Sequence, residues 1–426
     1  MQTYGLPKIL NVKVCARYND KYYTADGLVI EITGLLKYME TMTHMLKAHL
    51  GAGVLAMPSA MARMGILFGV IGVVVIAIFA SYCVQLLIKS QYLVCKRFKQ
   101  GYMSYPKSIR LAMQGGPPCL RWTAYPFAYS VDGFLIIWQI GLCAIFTVLC
   151  AESIKQINDF YSSELSLRLI IMCLYPPCFI LCLTKNMKLM APLSMSANIF
   201  TVMGFIFTFF YIIEDDLYVD ESMFKVRSIG DIPIFIGIVL FALEAIGVML
   251  AVEYHMEKPK QFTGVCGLFS VGMTILATSY IMLGVFGYLK YGRDCNAVII
   301  LDLPQNEKKA QAAKLLFAMA LFASYPLQNY VPWQIILRLT RKKVTSVPLA
   351  MIAPSLGAFI GLIGVLCMML LAVIFPAFMD IAVHYPGPYG TANYRLYLDL
   401  FIVVAGFFCL FSGVYTSLLE IYDKFG

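Results

Sequence analysis

His44-Met45-Leu46-Lys47-Ala48-His49-Leu50-Gly51-Ala52-Gly53-Val54-Leu55-Ala56-Met57-Pro58 is the stretch whose reading decides the fold. It opens an apolar run long enough to cross a membrane, yet it holds a basic cluster, two glycines one residue apart and a proline. Glycine is the poorest helix former after proline, and a proline removes a backbone donor. A membrane helix interrupted near 51–54 is therefore expected. Glycines also let helix backbones touch, so on the residues alone Gly51 and Gly53 fit either purpose.

The rest of the chain supports a membrane setting. Of 426 residues, 60% are hydrophobic and 13% charged. Soluble domains carry about 25% charged residues because their surface faces water, so most of this chain faces lipid. That excludes a soluble enzyme, a disordered scaffold and a nucleic-acid binder. The net charge of +9 is read as basic loops beside an anionic cytoplasmic leaflet. Most of the 13 cysteines sit in apolar runs, where they act as small hydrophobes, and no CxxC or HExxH spacing marks a metal site. There is no N-x-S/T sequon, and no short apolar run near the start to suggest a cleaved signal peptide.

Ten apolar runs are long enough for spanning helices: 41–64, 67–95, 127–150, 167–184, 189–213, 232–254, 264–289, 311–337, 355–378 and 397–419. They lack the alternation of barrel strands, so the fold class is an all-α integral membrane bundle. An eleventh apolar stretch, 344–354, would reach only about 16 Å of a ~30 Å hydrocarbon core. Residues 89–121 carry seven basic residues and no acid, and Arg338, Arg341, Lys342 and Lys343 follow the eighth run. Basic loops mark the cytoplasmic side, which places the N-terminus inside as well. Residues 1–40 form a cytoplasmic segment too short for a folded domain, and 41–420 the membrane domain.

The sixth run is the second irregular one: Phe241-Ala242-Leu243-Glu244-Ala245-Ile246-Gly247-Val248, then Glu253-Tyr254-His255. A carboxylate inside a span costs about 2.5–3.5 kcal/mol on insertion scales and usually faces the bundle interior, which singles out Glu244. Interrupted helices in corresponding positions of two five-span repeats, about 41–213 and 232–378 with a final helix at 397–419, point to a transporter site at their junction. Half-helix N-termini suit an anionic group and unwound carbonyls a cation, which together fit a zwitterion.

HMLKAHLGAGVLAMP resembles the first-helix signature of the amino acid/auxin permease family, in particular its proton-coupled amino acid transporter branch. AESIKQI at 151–157, FALEAIGVMLAVEYHMEKP at 241–259, LDLP at 301–304, QNYVPWQIIL at 328–337 and LGAFIGLIG at 356–364 resemble the same branch in the same order. The resemblance implies a LeuT-like inverted-repeat fold of eleven helices and symport of a small neutral amino acid with a proton. Three departures stand out. Ala48 and His49 occupy positions where the family usually has Gly and Asn. Cys295 has no cysteine partner in 158–167 for a disulfide seen in some relatives. Residues 344–378 number 35 where two spans need about 40, so the family's ninth helix is almost missing and ten full spans remain. Two arrangements follow: 344–354 is a half-inserted stub with the C-terminus outside, which packing favours, or the last two spans are inverted.

On this reading the substrate carboxylate meets the N–H groups around Gly51, Ala52, Gly53 and Val54. The amine meets carbonyls near Phe241 and Leu243, with Glu244 shaping the break or carrying charge. Gln328 and Tyr330 either face the same cavity or pack between helices. His44 matches the histidine that the resemblance links to proton coupling, and histidine titrates nearest neutrality. His44 and His49 lie about 140° apart on a helix and make no metal pair. No cofactor is expected beyond the coupling ion, and carbonyl-built sites serve sodium as well. Partners are small neutral amino acids, protons and membrane lipid, at a plasma, lysosomal or endosomal membrane. A nutrient receptor on a transporter fold is the rival reading. No paired in-span aspartates, Ser/His pair or metal cluster supports an intramembrane enzyme.

Overall fold

The structure is a computed structural model, and it describes residues 14–18, 21–24, 29–30, 37–49, 51–100, 103–161, 165–182, 187–214, 220–243, 246–258, 261–340, 356–387, 389–390 and 393–425. Strands β1 (Val14–Tyr18), β2 (Lys21–Thr24) and β3 (Val29–Ile30) form a small antiparallel sheet in the N-terminal segment, an element the charge pattern there does not signal. The described remainder is helical.

The first run folds as three pieces: α1 (Tyr38–His49), α2 (Ala52–Leu55) and α3 (Met57–Met64). The break falls where the glycines place it. Pro58 lies in the first turn of α3, where a missing N–H leaves no hydrogen bond unmade, so it starts a helix here instead of breaking one. Gly65 then turns the chain at φ 74°, with carbonyls of Met223 and Lys225 each 2.9 Å from where a Cβ would sit. Only glycine meets both demands. The long helix α4 (Ile66–Arg97) follows at once.

Beyond α5 (Tyr105–Gly115) and the short α6 (Pro118–Arg121) come α7 (Ala124–Tyr161), α8 (Leu167–Cys182) and α9 (Met187–Glu214). The sixth run is again two helices, α10 (Asp231–Leu243) and α11 (Ile246–His255). Glu244 falls in the gap between them, outside the described residues. Then come α12 (Leu268–Tyr291), α13 (Lys308–Thr340) and a continuous helix of three parts: α14 (Leu356–Ile363), a wider-wound π stretch Gly364–Ile374, and α15 (Phe375–His384). The last is α16 (Tyr394–Phe425).

Seven helices among the described residues are long and apolar enough to cross a membrane. Of the ten expected runs, the first and sixth are the broken ones, and α8, at 16 residues, rises about 24 Å. Large apolar side chains cover the outer faces of the long helices: Val75 and Ile78 on α4, and Phe408 and Phe411 on α16, are all more than half exposed. Glycines carry the closest internal contacts, as in other bundles where backbones must approach. Gly237 of α10 lies against the Gly361 carbonyl, and Gly364 against the Gly237 carbonyl.

The 344–354 stretch lies outside the described residues, but its two ends are anchored. Arg338 ion-pairs with Asp132, near the start of α7. Gly357 packs on Ala297, whose carbonyl accepts from the Ser59 hydroxyl. Phe127 meets Phe375 and Phe378, whereas Gly141 meets Ile363, so α7 runs antiparallel to the helix 356–384. Residues 340 and 356 therefore sit towards opposite faces of the bundle. The termini do too, because Arg63 at the end of α3 bonds both Asp231 (2.7 Å) and Glu420 near the end of α16 (2.8 Å). This is the arrangement with the C-terminus opposite the N-terminus.

Candidate functional site at the junction of the broken helices

Both broken helices end on the same side chain. Tyr280, fully buried on α12, lies with its hydroxyl 2.8 Å from the His49 carbonyl and 2.9 Å from the Ala242 carbonyl. These carbonyls close α1 and approach the end of α10, where a helix leaves its last C=O groups without intrahelical partners. A tyrosine hydroxyl has one hydrogen, so it satisfies two carbonyls only by sharing.

The two glycines of the first break differ in surroundings. A Cβ on Gly53 would stand 2.6 Å from the Ala242 Cα and 3.1 Å from its Cβ, so Gly53 is what lets α2 lie on α10. A Cβ on Gly51 would meet nothing within 4 Å. Gly51 caps α2 in an extended conformation with no side-chain hydrogen bond to its first N–H groups. Close packing, one of the two purposes the sequence offers for this pair, belongs to Gly53.

The remaining candidates fall into three groups. Ala52, Val54, Phe241 and Leu243 are all buried at the junction, and the Phe241 ring lies 5.2 Å from that of Trp138 on α7. His49 is buried there too, with Nδ1 2.9 Å from the Met45 carbonyl and the ring within reach of the Leu243 backbone. His44 is exposed on α1, away from that contact, and Gln328 and Tyr330 are half-buried on α13, which packs on α7, α8 and α9. The structure does not bring these three into the junction. Glu244 lies outside the described residues.

Tyr280 and Trp138 are the members that sequence reasoning does not single out. Each is an aromatic residue in an apolar helix, where a membrane bundle has many. A buried tyrosine flanked by small residues (Ala277 and Gly284, one turn to either side) is the one available signal. Cys295, in the loop after α12, is a free, half-buried thiol, pushed up to about 12 by burial and then by Asp302. Among the described residues no group of His, Cys, Asp and Glu is arranged to hold a metal ion.

A broken-helix junction rich in backbone donors and acceptors, inside a bundle with lipid-facing outer surfaces, defines a membrane transporter as the class of protein. The chain belongs to the transmembrane amino acid transporter family, whose model matches residues 36–348 and 343–419. The two matched stretches meet at 343–348, in the segment where counting leaves room for one helix instead of two. The chain is 32% identical over 400 residues to a Drosophila melanogaster protein described as proton-coupled amino acid transporter-like protein pathetic, covering 90% of this chain and 84% of that one. It is also 24% identical over 395 residues to vacuolar amino acid transporter 3 of Saccharomyces cerevisiae, covering 85% of this chain and 54% of that one. The protein is an integral membrane protein of an amino acid transporter family and not an enzyme.

Proposed function

We propose that this chain carries small neutral amino acids across a membrane together with protons, by alternating access on a LeuT-like inverted-repeat bundle of ten spans and a shortened ninth segment. The observation that carries the reading is the meeting of both broken helices on the Tyr280 hydroxyl. It leaves donors and acceptors at one place, as a zwitterion requires. The carboxylate binds the N–H groups after Gly51, which have no side-chain cap, and the ammonium binds carbonyls at the ends of α1 and α10. Phe241 and Trp138 form an apolar wall, and Ala52 and Ala242 leave room beside it. Glu244 shapes the second break or carries charge there, and His44 is the proton-coupling group that the resemblance indicates.

The basic segment 89–121 puts the N-terminus in the cytoplasm, in a plasma, lysosomal or endosomal membrane. A proton moving down ~100 mV releases about 2.3 kcal/mol. One pH unit adds about 1.4 kcal/mol. Together they support roughly 500-fold accumulation of a neutral solute. The test is radiolabelled uptake of a panel of small neutral amino acids into proteoliposomes with an imposed pH gradient. Uphill uptake that collapses with a protonophore is the expected result. Uptake driven by a sodium gradient at equal pH would replace the coupling ion. Saturable binding without uptake would favour a receptor.

A further inference from the structure

A second buried polar centre lies where α4, α15 and α16 meet, at the end of the bundle far from Gly65. Asp380 on α15 is 4% exposed and Asp399 on α16 is 1% exposed. His384 of α15 meets Arg395 of α16 at 3.0 Å, and Asp380 and Asp399 lie one helical turn from these two residues, so the antiparallel helices set the two carboxyl groups side by side. Paired aspartates are what the sequence reading did not expect, because Asp380 falls just beyond the end of its apolar run.

The surroundings fix how this pair holds charge. Asp380 Oδ1 accepts from the Ser90 hydroxyl of α4 at 2.7 Å. His384 Nδ1 lies 3.0 Å from the Asp380 carbonyl and 3.3 Å from Asp380 Oδ2. His384 Nε2 lies 3.0 Å from Nη1 of Arg395. A guanidinium only donates, so Nε2 accepts in this contact and Nδ1 is the ring nitrogen that faces Asp380. His384 orients Asp380. Arg395 is exposed and is the one nearby cation on α16. Tyr82 of α4, Tyr389 of the preceding turn and Tyr394 of α16 complete the titratable groups facing the pair. Helix α5, also packed on α15, has its charges engaged elsewhere: Lys107 donates to Gln100, and Arg110 lies over the Tyr125 ring.

Two carboxylates are both pure acceptors and cannot bond each other without a hydrogen between them. Like charges in contact in a dry site do not both ionise, so such pairs share one proton. Asp399 Oδ2 is buried with no partner, which a neutral acid tolerates far better than a carboxylate does. With one proton present, the pair carries a single negative charge beside the single positive charge of Arg395.

We infer that Asp380 and Asp399 form a proton-binding site that joins the ends of α4, α15 and α16. The proton is its ligand, held between the two carboxyl groups. Its loss leaves two negative charges in contact and pushes α16 away from α15. Ser90 carries that change to α4, the helix joined to the first broken span by Gly65 alone. The link to transport rests on the symporter reading above, but the binding of the proton does not.

The test is infrared difference titration of the full-length protein in lipid nanodiscs, following the C=O stretch of a protonated carboxylic acid, in wild type, Asp380→Asn and Asp399→Asn. Both substitutions keep the shape and leave one carboxyl beside an amide that can donate to it. A carboxylic-acid band that titrates in wild type and is lost in each variant is expected. A wild-type protein with no such band overturns the proposal, whether or not the variants fold. So does a band that persists in both variants. Sodium added at constant pH is expected to leave the band unchanged, and its removal of the band would assign the site to a metal cation instead. Proteoliposome uptake run alongside separates the two readings: a titrating band in a protein whose uptake ignores the pH gradient removes proton-driven transport and leaves the proton site standing.

Discussion

The junction of the broken helices and the carboxyl pair are both buried polar centres in an apolar bundle, built from different materials. At the junction the groups offered to a ligand are main-chain, the carbonyls of His49 and Ala242 and the N–H groups after Gly51, with the Tyr280 hydroxyl and the His49 ring bonded to backbone. Side chains there serve to hold the backbone open. At the second centre the helices are unbroken and the polarity comes from Asp380, Asp399, Ser90 and His384. A main-chain site carries no net charge and cannot titrate, so it suits a zwitterion and responds to geometry. A side-chain site gains and loses protons, so it responds to pH. The first region is expected to govern binding, and the second to add a pH response of its own beside that of His44.

The largest effects test whether the junction is geometric. Gly53→Val places a branched side chain against the Ala242 backbone, where even a Cβ would stand at 2.6 Å. Overpacking of this kind costs about 1–3 kcal/mol or more, and the expected outcome is a lower Tm with uptake abolished. Gly51→Ala has open space and an ordinary extended backbone, so it should leave Tm unchanged and weaken substrate binding in a competition assay. If Gly53→Val melts like wild type, the glycine is not a packing device. If Gly51→Ala binds normally, the carboxylate lies elsewhere.

Tyr280→Phe comes next. It removes the hydroxyl that both carbonyls share and leaves them buried, at about 1–3 kcal/mol. Because the substrate ammonium would itself supply a donor, the loss should fall on the empty protein more than on the complex. A Tm deficit that narrows on adding substrate is the expected result, and a deficit independent of substrate would detach Tyr280 from the site. The two histidines divide in the same way. His49→Ala should lower Tm modestly through its buried bond to the Met45 carbonyl. The exposed His44→Ala should leave Tm alone and, if the resemblance holds, abolish acid-stimulated uptake.

How far the sequence discloses each region follows from the same difference. Broken backbone leaves a mark, because only a few residue types permit it: Gly51, Gly53 and Pro58 locate the first break to within a few residues. What those residues face leaves no mark. Gly53 is a packing residue because Ala242, nearly two hundred positions away, lies against it. Tyr280 matters because two carbonyls converge on its hydroxyl, and nothing in its own helix says so. The carboxyl pair is half legible. Asp399 stands inside an apolar run, and the cost of an in-span charge that singles out Glu244 applies to it equally. Its partner does not, since Asp380 lies beyond the run and only the turn between α15 and α16 brings them together.

The smallest effect is expected at His384, and it is the sharpest test of the comparison. A histidine beside a buried aspartate is the obvious candidate for the group that senses pH. The Arg395 contact argues otherwise, because a ring nitrogen facing a guanidinium must accept, which commits Nε2 to Arg395. His384→Gln tests this directly, since its amide can donate towards Asp380 and its carbonyl oxygen can accept from Arg395. If the carboxyl pair is the titrating unit, the midpoint of the carboxylic-acid band should move by less than about one pH unit, equivalent to about 1.4 kcal/mol. His384→Leu, which can do neither, should lower Tm by stranding the Asp380 and Arg395 partners while leaving the band in place. A large shift in the glutamine variant would mean that the imidazole shares the proton. The second centre would then be a triad, in which the arginine and the aspartates compete for the same ring.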